Sequence, residues 1–497
     1  MSQIVHIFRK DARQLRLEIL ATLTVLFLFD IFEPRSWANP STAMQVEGLV
    51  SAALAFLLCI SWGILIIRLI QTDRLPGLNQ FWTTRPVEWW KLMAAKGLFL
   101  VAFLYAPLIL SQMLLLHLAG FAVASNLPLI LLDMVLLSAI LVLPLASLAA
   151  VTSSFGQTVL ALLGALVLLV VFVAVAAGRN LQPRFLSWLQ LGILVAMLSG
   201  AVVYQYRWRA TRNTIVLCAV TACLLIFTQW LLPGSSLAVA GYARPAQGEP
   251  VTIAIDSSPR PRGNPYNSQK STTILLDLPL AVSGIAPGTS YELEGQKLHL
   301  EGPDGTVWES HWENENAVFG QTVFSGSGNP STVISIPRRV YDRLGGGDVS
   351  IRLEFAVAQY RDLPVFQTIL ASKGEMVPGL GSCALLEEWG TIGCRSVFGP
   401  PSRFAVSTFW DYLPDAPAQP ASRPAHGYIG LATPLEWRMT IGISPVAVSG
   451  ASFNSSNEKR GELFPGTPVS YVGRRLVRRM QMQTAPATVS LKDLAGL

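Results

Sequence analysis

Seven long apolar stretches crowd into the first 232 residues of this chain, and the other 265 hold nothing comparable. They run from about Leu17 to Phe32, Leu49 to Ile67, Gly97 to Phe121, Leu127 to Val151, Val159 to Ala177, Phe185 to Tyr204 and Thr214 to Leu232. Crossing about 30 Å of hydrocarbon at about 1.5 Å per residue takes about 20 residues, and most of the stretches are that long and nearly free of charge. Apolar residues lie all the way round each one, which suits a lipid solvent and not a water-facing helix. The first, bounded by Glu18 and Asp30, is short and needs tilt or a thinned bilayer to span. The expected fold class is therefore an α-helical polytopic membrane bundle of about seven spans, followed by an all-β, sandwich-like soluble domain.

The mean hydropathy of +0.44 and net charge of +6 average two different halves. Residues 1–232 hold 15 Lys and Arg against 8 Asp and Glu, and the remainder holds 22 against 23. The basic excess thus belongs to the membrane part and reads as a topology signal, with no nucleic-acid partner implied. Twelve cations lie at the N-terminus (Arg9, Lys10, Arg13, Arg16), between the second and third stretches (Arg68, Arg74, Arg85, Lys91, Lys96) and before the seventh (Arg207, Arg209, Arg212). The alternate side has only Arg35, Arg179 and Arg184. This bias places the N-terminus in the cytoplasm of a multi-pass inner-membrane protein, and seven spans then carry the C-terminal domain outside. No cleavable leader is read, since Phe29-Asp-Ile-Phe-Glu-Pro34 lacks small residues at cleavage spacing.

Along the chain, residues 1–232 form the membrane domain, 233–270 a Pro/Gly/Ser/Asn-rich linker with one strand at Val251 to Ile255, and 271–497 the β-rich domain. Period-2 stretches are read at Thr272 to Val282, Tyr291 to Leu300, Thr332 to Ile336, Val349 to Val357, Phe404 to Phe409, Leu435 to Ile443 and Val469 to Gln483. These strands suggest one or two antiparallel sandwiches, and in the second case the irregular part, 373–403, is where they divide. It holds Cys383 and Cys394, the one cysteine pair outside the membrane part and a disulfide candidate suited to an oxidising compartment. Two thiols with no His or Cys at ligand spacing make no zinc site. No cofactor or metal site and no catalytic set is read. Within the spans, Gln112, His117 and Asp133 are the polar residues to explain, either as a substrate-path or proton-linked cluster or as structural hydrogen bonds between helices.

Two segments have interfacial character. Ile4, Ile7, Phe8, Ala12 and Leu15 share one face of an N-terminal helix whose other face carries Arg9, Arg13 and Arg16. In Phe81-Trp-Thr-Thr-Arg-Pro-Val-Glu-Trp-Trp-Lys-Leu-Met-Ala-Ala-Lys96, Thr84 precedes Arg85-Pro86 and Glu88, a helix start, while Trp82, Trp89 and Trp90 suit a headgroup layer. A short interfacial helix is expected there.

These two segments resemble the entry helix and coupling helix of type-2 ABC exporter permeases, over roughly residues 1–205. The resemblance implies a permease subunit driven by a separate ATP-binding cassette subunit, paired with a second permease copy or paralogue. It places Arg85, Pro86, Trp89, Trp90 and Lys91 at the motor interface, with Arg9, Lys10 and Arg13 in support. The chain has no G-x-x-x-x-G-K-[ST] loop of its own, so it is not read as an enzyme. Six spans and no large C-terminal domain are usual in that family, which leaves the β part unassigned. The alternative is a membrane-anchored extracytoplasmic β domain that binds or senses a ligand without transport.

Overall fold

The computed structural model describes residues 2–38, 47–72, 88–176, 184–230, 242–243, 251–256, 272–313, 318–320, 331–344, 347–370, 374–386, 391–398, 403–410, 423–429, 443–451, 466 and 468–495. The chain divides into two compact units: Met1–Val173, Trp188–Thr228 and Phe366–Tyr471 in one, Ala174–Ser187, Gln229–Val365 and Val472–Leu497 in the other.

Helices fill the membrane part: α1 (Ser2–Gln14), α2 (Arg16–Ala38), α3 (Glu47–Gln71), α4 (Trp89–Leu118), α5 (Val123–Val151), α6 (Phe155–Ala176), α7 (Arg184–Trp208) and α8 (Thr211–Trp230). Among the described residues, three are long and apolar enough to cross a membrane, α3, α4 and α5. The expected count of seven is not reached. On α2, Arg16, Glu18, Asp30, Glu33 and Arg35 interrupt the apolar run, and the described apolar portions of α6 and α8 stop at Val167 and Leu225. On α3 one side is buried (Leu58, Trp62, Leu65, Ile66, Leu69) and the other exposes Leu49, Phe56, Leu57, Ile60 and Ile64. An apolar face of that extent is stable against lipid, not water.

The expected short interfacial helix takes another form. Its described portion, Trp89 to Lys96, is the first two turns of α4 itself and runs without a break into the span. Leu92, Met93, Ala94 and Ala95 are strong helix formers, and nothing before Gly97 interrupts them. Residues 81–87 lie outside the described residues.

Two of the three long helices contain a π turn, Val101–Tyr105 in α4 and Ser138–Val142 in α5. Each holds the residue four before a proline, Phe103 before Pro107 and Ile140 before Pro144. Proline removes one ladder donor and crowds that carbonyl, and widening the helix by one residue relieves the clash. The Tyr105 and Ser138 hydroxyls hydrogen-bond to each other, tying the two widened turns together.

Unit two is a sandwich. One antiparallel sheet has β1 (Thr252–Ile255), β2 (Thr273–Ser283) and β6 (Ser331–Pro337). The other is built on β3 (Thr289–Glu301) and β7 (Asp348–Asp362), with β4 (Val307–Glu309) and β5 (Val318–Gly320) on β3 and β16 (Ala487–Ser490) on β7. The second part of β15 (Pro468–Gln483) pairs with β7. Alternating side chains from both sheets, among them Ile274, Leu276, Leu278, Leu298, Leu353 and Phe355, meet in one core. Helices α9 (Arg338–Arg343) and α10 (Leu491–Ala495) flank it.

The β part of unit one holds β8 (Phe366–Ile369), β9 (Glu375–Val377), β10 (Gly381–Leu386), β11 (Thr391–Val397), β12 (Arg403–Trp410), β13 (Arg423–Ile429) and β14 (Val446–Ala451). Strands β14, β11, β10 and β9 form an antiparallel sheet in that order. The stretch read as irregular, 373–403, therefore carries three strands, which Gly381 and Gly393 disguise in the sequence by breaking the alternation.

Candidate functional site

The polar side chains of the helical part gather at two levels of unit one. At the first, Asp11 of α1 is fully buried and Lys96 of α4 is 3% exposed. Lys96 Nζ donates to Asp11 Oδ2 at 2.8 Å and to Thr72 Oγ1, at the end of α3, at 2.8 Å. Next along the chain, Gln71 Nε2 donates to Thr158 Oγ1 at 2.7 Å and to Thr152 Oγ1 at 3.3 Å, reaching the α5–α6 turn. Glu18 pairs with Arg68 at 3.6 Å nearby. One belt thus ties α1, α3, α4, α5 and α6. The apolar side of α1 closes on α4 beside it: the Phe8 ring stacks on Phe103 at 5.8 Å and meets Phe99 edge-on at 6.4 Å, with Leu15 buried below.

At the second level, the Glu33 carboxylate accepts hydrogen bonds from Trp37 Nε1 at 3.0 Å and from the Ser51 hydroxyl. Ser111 Oγ donates to Asp30 Oδ1 at 2.5 Å, and its neighbour Gln112 donates through Nε2 to Asp133 Oδ2 at 2.9 Å. This belt ties α2, α3, α4 and α5. From Lys96 to Gln112 is 16 residues of helix, about 24 Å at 1.5 Å per residue, and from Asp133 to Thr152 is 19, about 28 Å. The belts are separated by roughly one hydrocarbon thickness.

This geometry separates the three intramembrane polar residues. Gln112 and Asp133 form one interhelical hydrogen bond, the structural alternative of the two considered from sequence. His117 does not join them. Five residues past Gln112 it stands about 140° round the helix, and its side chain is exposed.

The second belt also meets the β part of the same unit. Gln112 Nε2 lies 3.5 Å from the carbonyl oxygen of Ile443. Phe398, Ile443 and Val446 are buried in one cluster with Leu115, Ala119, Phe121 and Ile130. The chain around Phe398, Ile443 and Val446 is therefore packed on the helical bundle at the end opposite α1. There Cys383 of β10 faces Cys394 of β11 and the two form a disulfide, with Cα atoms 4.0 Å apart. Cys59, Cys218 and Cys223 are free thiols. Alkylation of the denatured chain without reductant is expected to modify those three and spare Cys383 and Cys394. Mass spectrometry of the peptides checks this.

At the start of α4, Trp89 and Trp90 are 37% and 48% exposed. Lys91 pairs with Glu88 at 2.8 Å and lies 5.4 Å from the Trp90 ring centre; the lysine holds the Glu88 carboxyl below the usual carboxylate range. Arg85 and Pro86 lie outside the described residues. Arg9, Lys10 and Arg13 line, with His6 and Gln14, an open hollow of about 600 Å³ on the outer face of α1.

In unit two the basic run Arg474, Arg475, Arg478, Arg479 is mostly tied down. Arg474 is buried 3.6 Å from Asp362, and burial raises the Asp362 carboxyl above its ordinary range against the pull of that arginine. Arg478 donates to Gln359 Oε1 at 2.7 Å. Arg479 grips both oxygens of Glu294, at 2.8 and 3.2 Å; Arg475 alone of the four is exposed.

The Asp11–Lys96 lock is what sequence reading missed. Its signal was there: Ile4, Phe8, Asp11 and Leu15 share the spacing of one helix stripe, and a carboxylate on an apolar stripe calls for a buried cation. Comparison with family models, curated proteins and solved structures gives no match to this chain. What the fold defines is a helical membrane part, with apolar helices long enough to cross a bilayer, joined to a β-rich C-terminal part.

Proposed function

We infer that the chain is the permease subunit of an ABC-type exporter, worked by a separate ATP-hydrolysing subunit that docks where the chain enters α4. The observation that carries this reading is the buried Asp11–Lys96–Thr72 junction. It fastens the amphipathic entry helix and the root of α4 to one another, and Gln71 extends the linkage to the α5–α6 turn. Force applied at the segment leading into Trp89 is passed to α1, α3, α5 and α6 together, as a motor-driven bundle requires. The exposed Trp89 and Trp90, with Lys91, supply the aromatic and basic contact, and Arg85 and Pro86 extend it.

The two belts support the following orientation. The α1 end, rich in cations, faces the cytoplasm. The Asp133 end, with the disulfide-bearing strands packed on it, faces the oxidising side. Helices α2, α6, α7 and α8 complete the spans, α2 keeping its charges at the two belts. Transport then requires a second copy of this chain or a paralogue to complete the path.

The test is purification of the tagged chain in mild detergent, with identification of what accompanies it. An ATP-binding subunit with vanadate-sensitive hydrolysis is expected, and Trp89→Ala/Trp90→Ala/Lys91→Ala is expected to release it while the permease stays in the membrane. Retention of an unaffected motor by that variant would place the interface elsewhere. Absence of any ATPase would favour the anchored β domain as the working part.

A further inference from the structure

We propose that the two π turns, Val101–Tyr105 and Ser138–Val142, are one shared hinge, latched by the Tyr105 and Ser138 hydroxyls. About it the far halves of α4 and α5 (Ala106–Leu118 and Val123–Leu137) swing together against the near halves (Trp89–Leu100 and Leu143–Val151). Each turn is a weak point for a chemical reason. Pro107 and Pro144 have no N–H, so the carbonyls of Phe103 and Ile140 lose their ladder donors. The amide before each proline closes the widened turn, Ala106 N–H donating to the Val101 carbonyl and Leu143 N–H to that of Ser138. A helix bends where its ladder is interrupted in this way. A break in one helix alone would be splinted by its neighbour. Here the two stand level, since Tyr105 meets Ser138, and neither helix splints the other.

A tied piece lies on each side of the hinge. On the near side Lys96 is bound to Asp11 and Thr72, and Thr152 to Gln71. On the far side Gln112 bonds Asp133, and Leu115 and Phe121 share a buried cluster with Ile443 and Val446. Tyr105 is nine residues from Lys96 and seven from Gln112, about 14 Å and about 10 Å along α4. A change of angle there re-aims the far piece, with the chain packed on it, while the Asp11–Lys96 contact stays closed. The latch is a single side-chain bond, small enough to open reversibly. Ser138 Oγ already donates to the Met134 carbonyl at 2.6 Å, so Tyr105 is the donor to Ser138. The inference concerns bending alone and does not rest on the permease reading.

The test measures distances in the full chain in lipid nanodiscs by pulsed electron paramagnetic resonance. A Cys59→Ala/Cys218→Ala/Cys223→Ala background removes the free thiols and keeps the disulfide. Spin labels go on Leu118→Cys, at the exposed tip of the far piece, paired with Ile64→Cys of α3 or Leu160→Cys of α6. From Tyr105 to Leu118 is 13 residues, an arm of about 20 Å. A bend of about 20° therefore moves the tip by about 7 Å. Tyr105→Phe should add a second population, displaced by about 7 Å, to at least one of the two distances. Adding Pro107→Ala and Pro144→Ala, which restores both ladder donors, should remove it. If Tyr105→Phe fails to melt cooperatively, Ser138→Ala opens the same latch and should give the same shift. An unchanged distance in the latch variant that folds overturns the proposal. So does a displaced population that survives with both prolines replaced, since the bend would then lie elsewhere. If neither latch variant folds, the hydroxyl pair is a fixed tie and not a latch, which also overturns it.

Discussion

Asp11→Ala or Lys96→Ala alone is expected to destabilise unit one by about 3–5 kcal/mol, because either change leaves its buried partner uncompensated. Both side chains are withdrawn from solvent, and the 2.8 Å contact is shared with Thr72. Changing both to apolar residues of similar size, Asp11→Leu with Lys96→Met, should restore most of the loss, since the desolvation penalty disappears with the charges. Thermal melts of the wild type, Asp11→Leu, Lys96→Met and the double variant in one detergent close the double-mutant cycle. A coupling energy near zero would mean the pair is not the lock described here. The restored double variant is also informative about force transmission. It keeps the apolar packing of Phe8 on α4 but loses the polar link to Thr72, so ATP hydrolysis should continue in it while its effect on the bundle weakens.

Gly381→Ala is expected to cost about 3 kcal/mol or more, at the high end for a single substitution. Gly381 opens β10 at φ +130°, a backbone region that side chains rarely tolerate, and a Cβ there would stand 2.0 Å from the carbonyl oxygen of Arg395 on β11. Neither strand can move aside, because the Cys383–Cys394 disulfide joins them two residues further on. The effect should appear as loss of protection from protease over 374–398 together with a lower melting temperature. If Gly381→Ala melts like the wild type, the close pairing of β10 with β11 at that position is wrong.

Most of the architecture was legible because it rests on solvent matching and period. Stretches apolar all round became the helices, and strands such as Thr272 to Val282 against β2 and Val469 to Gln483 against β15 came within a few residues of their expected limits, while the expected strand at Leu435 to Ile443 lies almost wholly outside the described residues. Two kinds of feature were not legible. One is pairing across long separations: Asp11 and Lys96 are 85 residues apart, and only the fold brings them together. The other is context that reverses a local signal. The stretch 373–403 read as irregular chain, yet Gly381 within it is where two strands approach too closely for any side chain. His117 was grouped with Gln112 by nearness along the chain, and the helical twist parts them. The division of the β region was the largest surprise. Residues 366–471 belong to the compact unit of the helices, which no composition shift announces.

A chain that is half of a motor-driven pair must show it in the mass of its assembly. Native mass spectrometry of the gently purified complex should give two chains of 54.0 kDa, or one with a paralogue, together with two ATP-hydrolysing subunits. The motor subunits should leave in the Trp89→Ala/Trp90→Ala/Lys91→Ala variant. A mass accounted for by this chain alone, with no hydrolytic subunit at any detergent concentration that keeps it folded, would contradict the account.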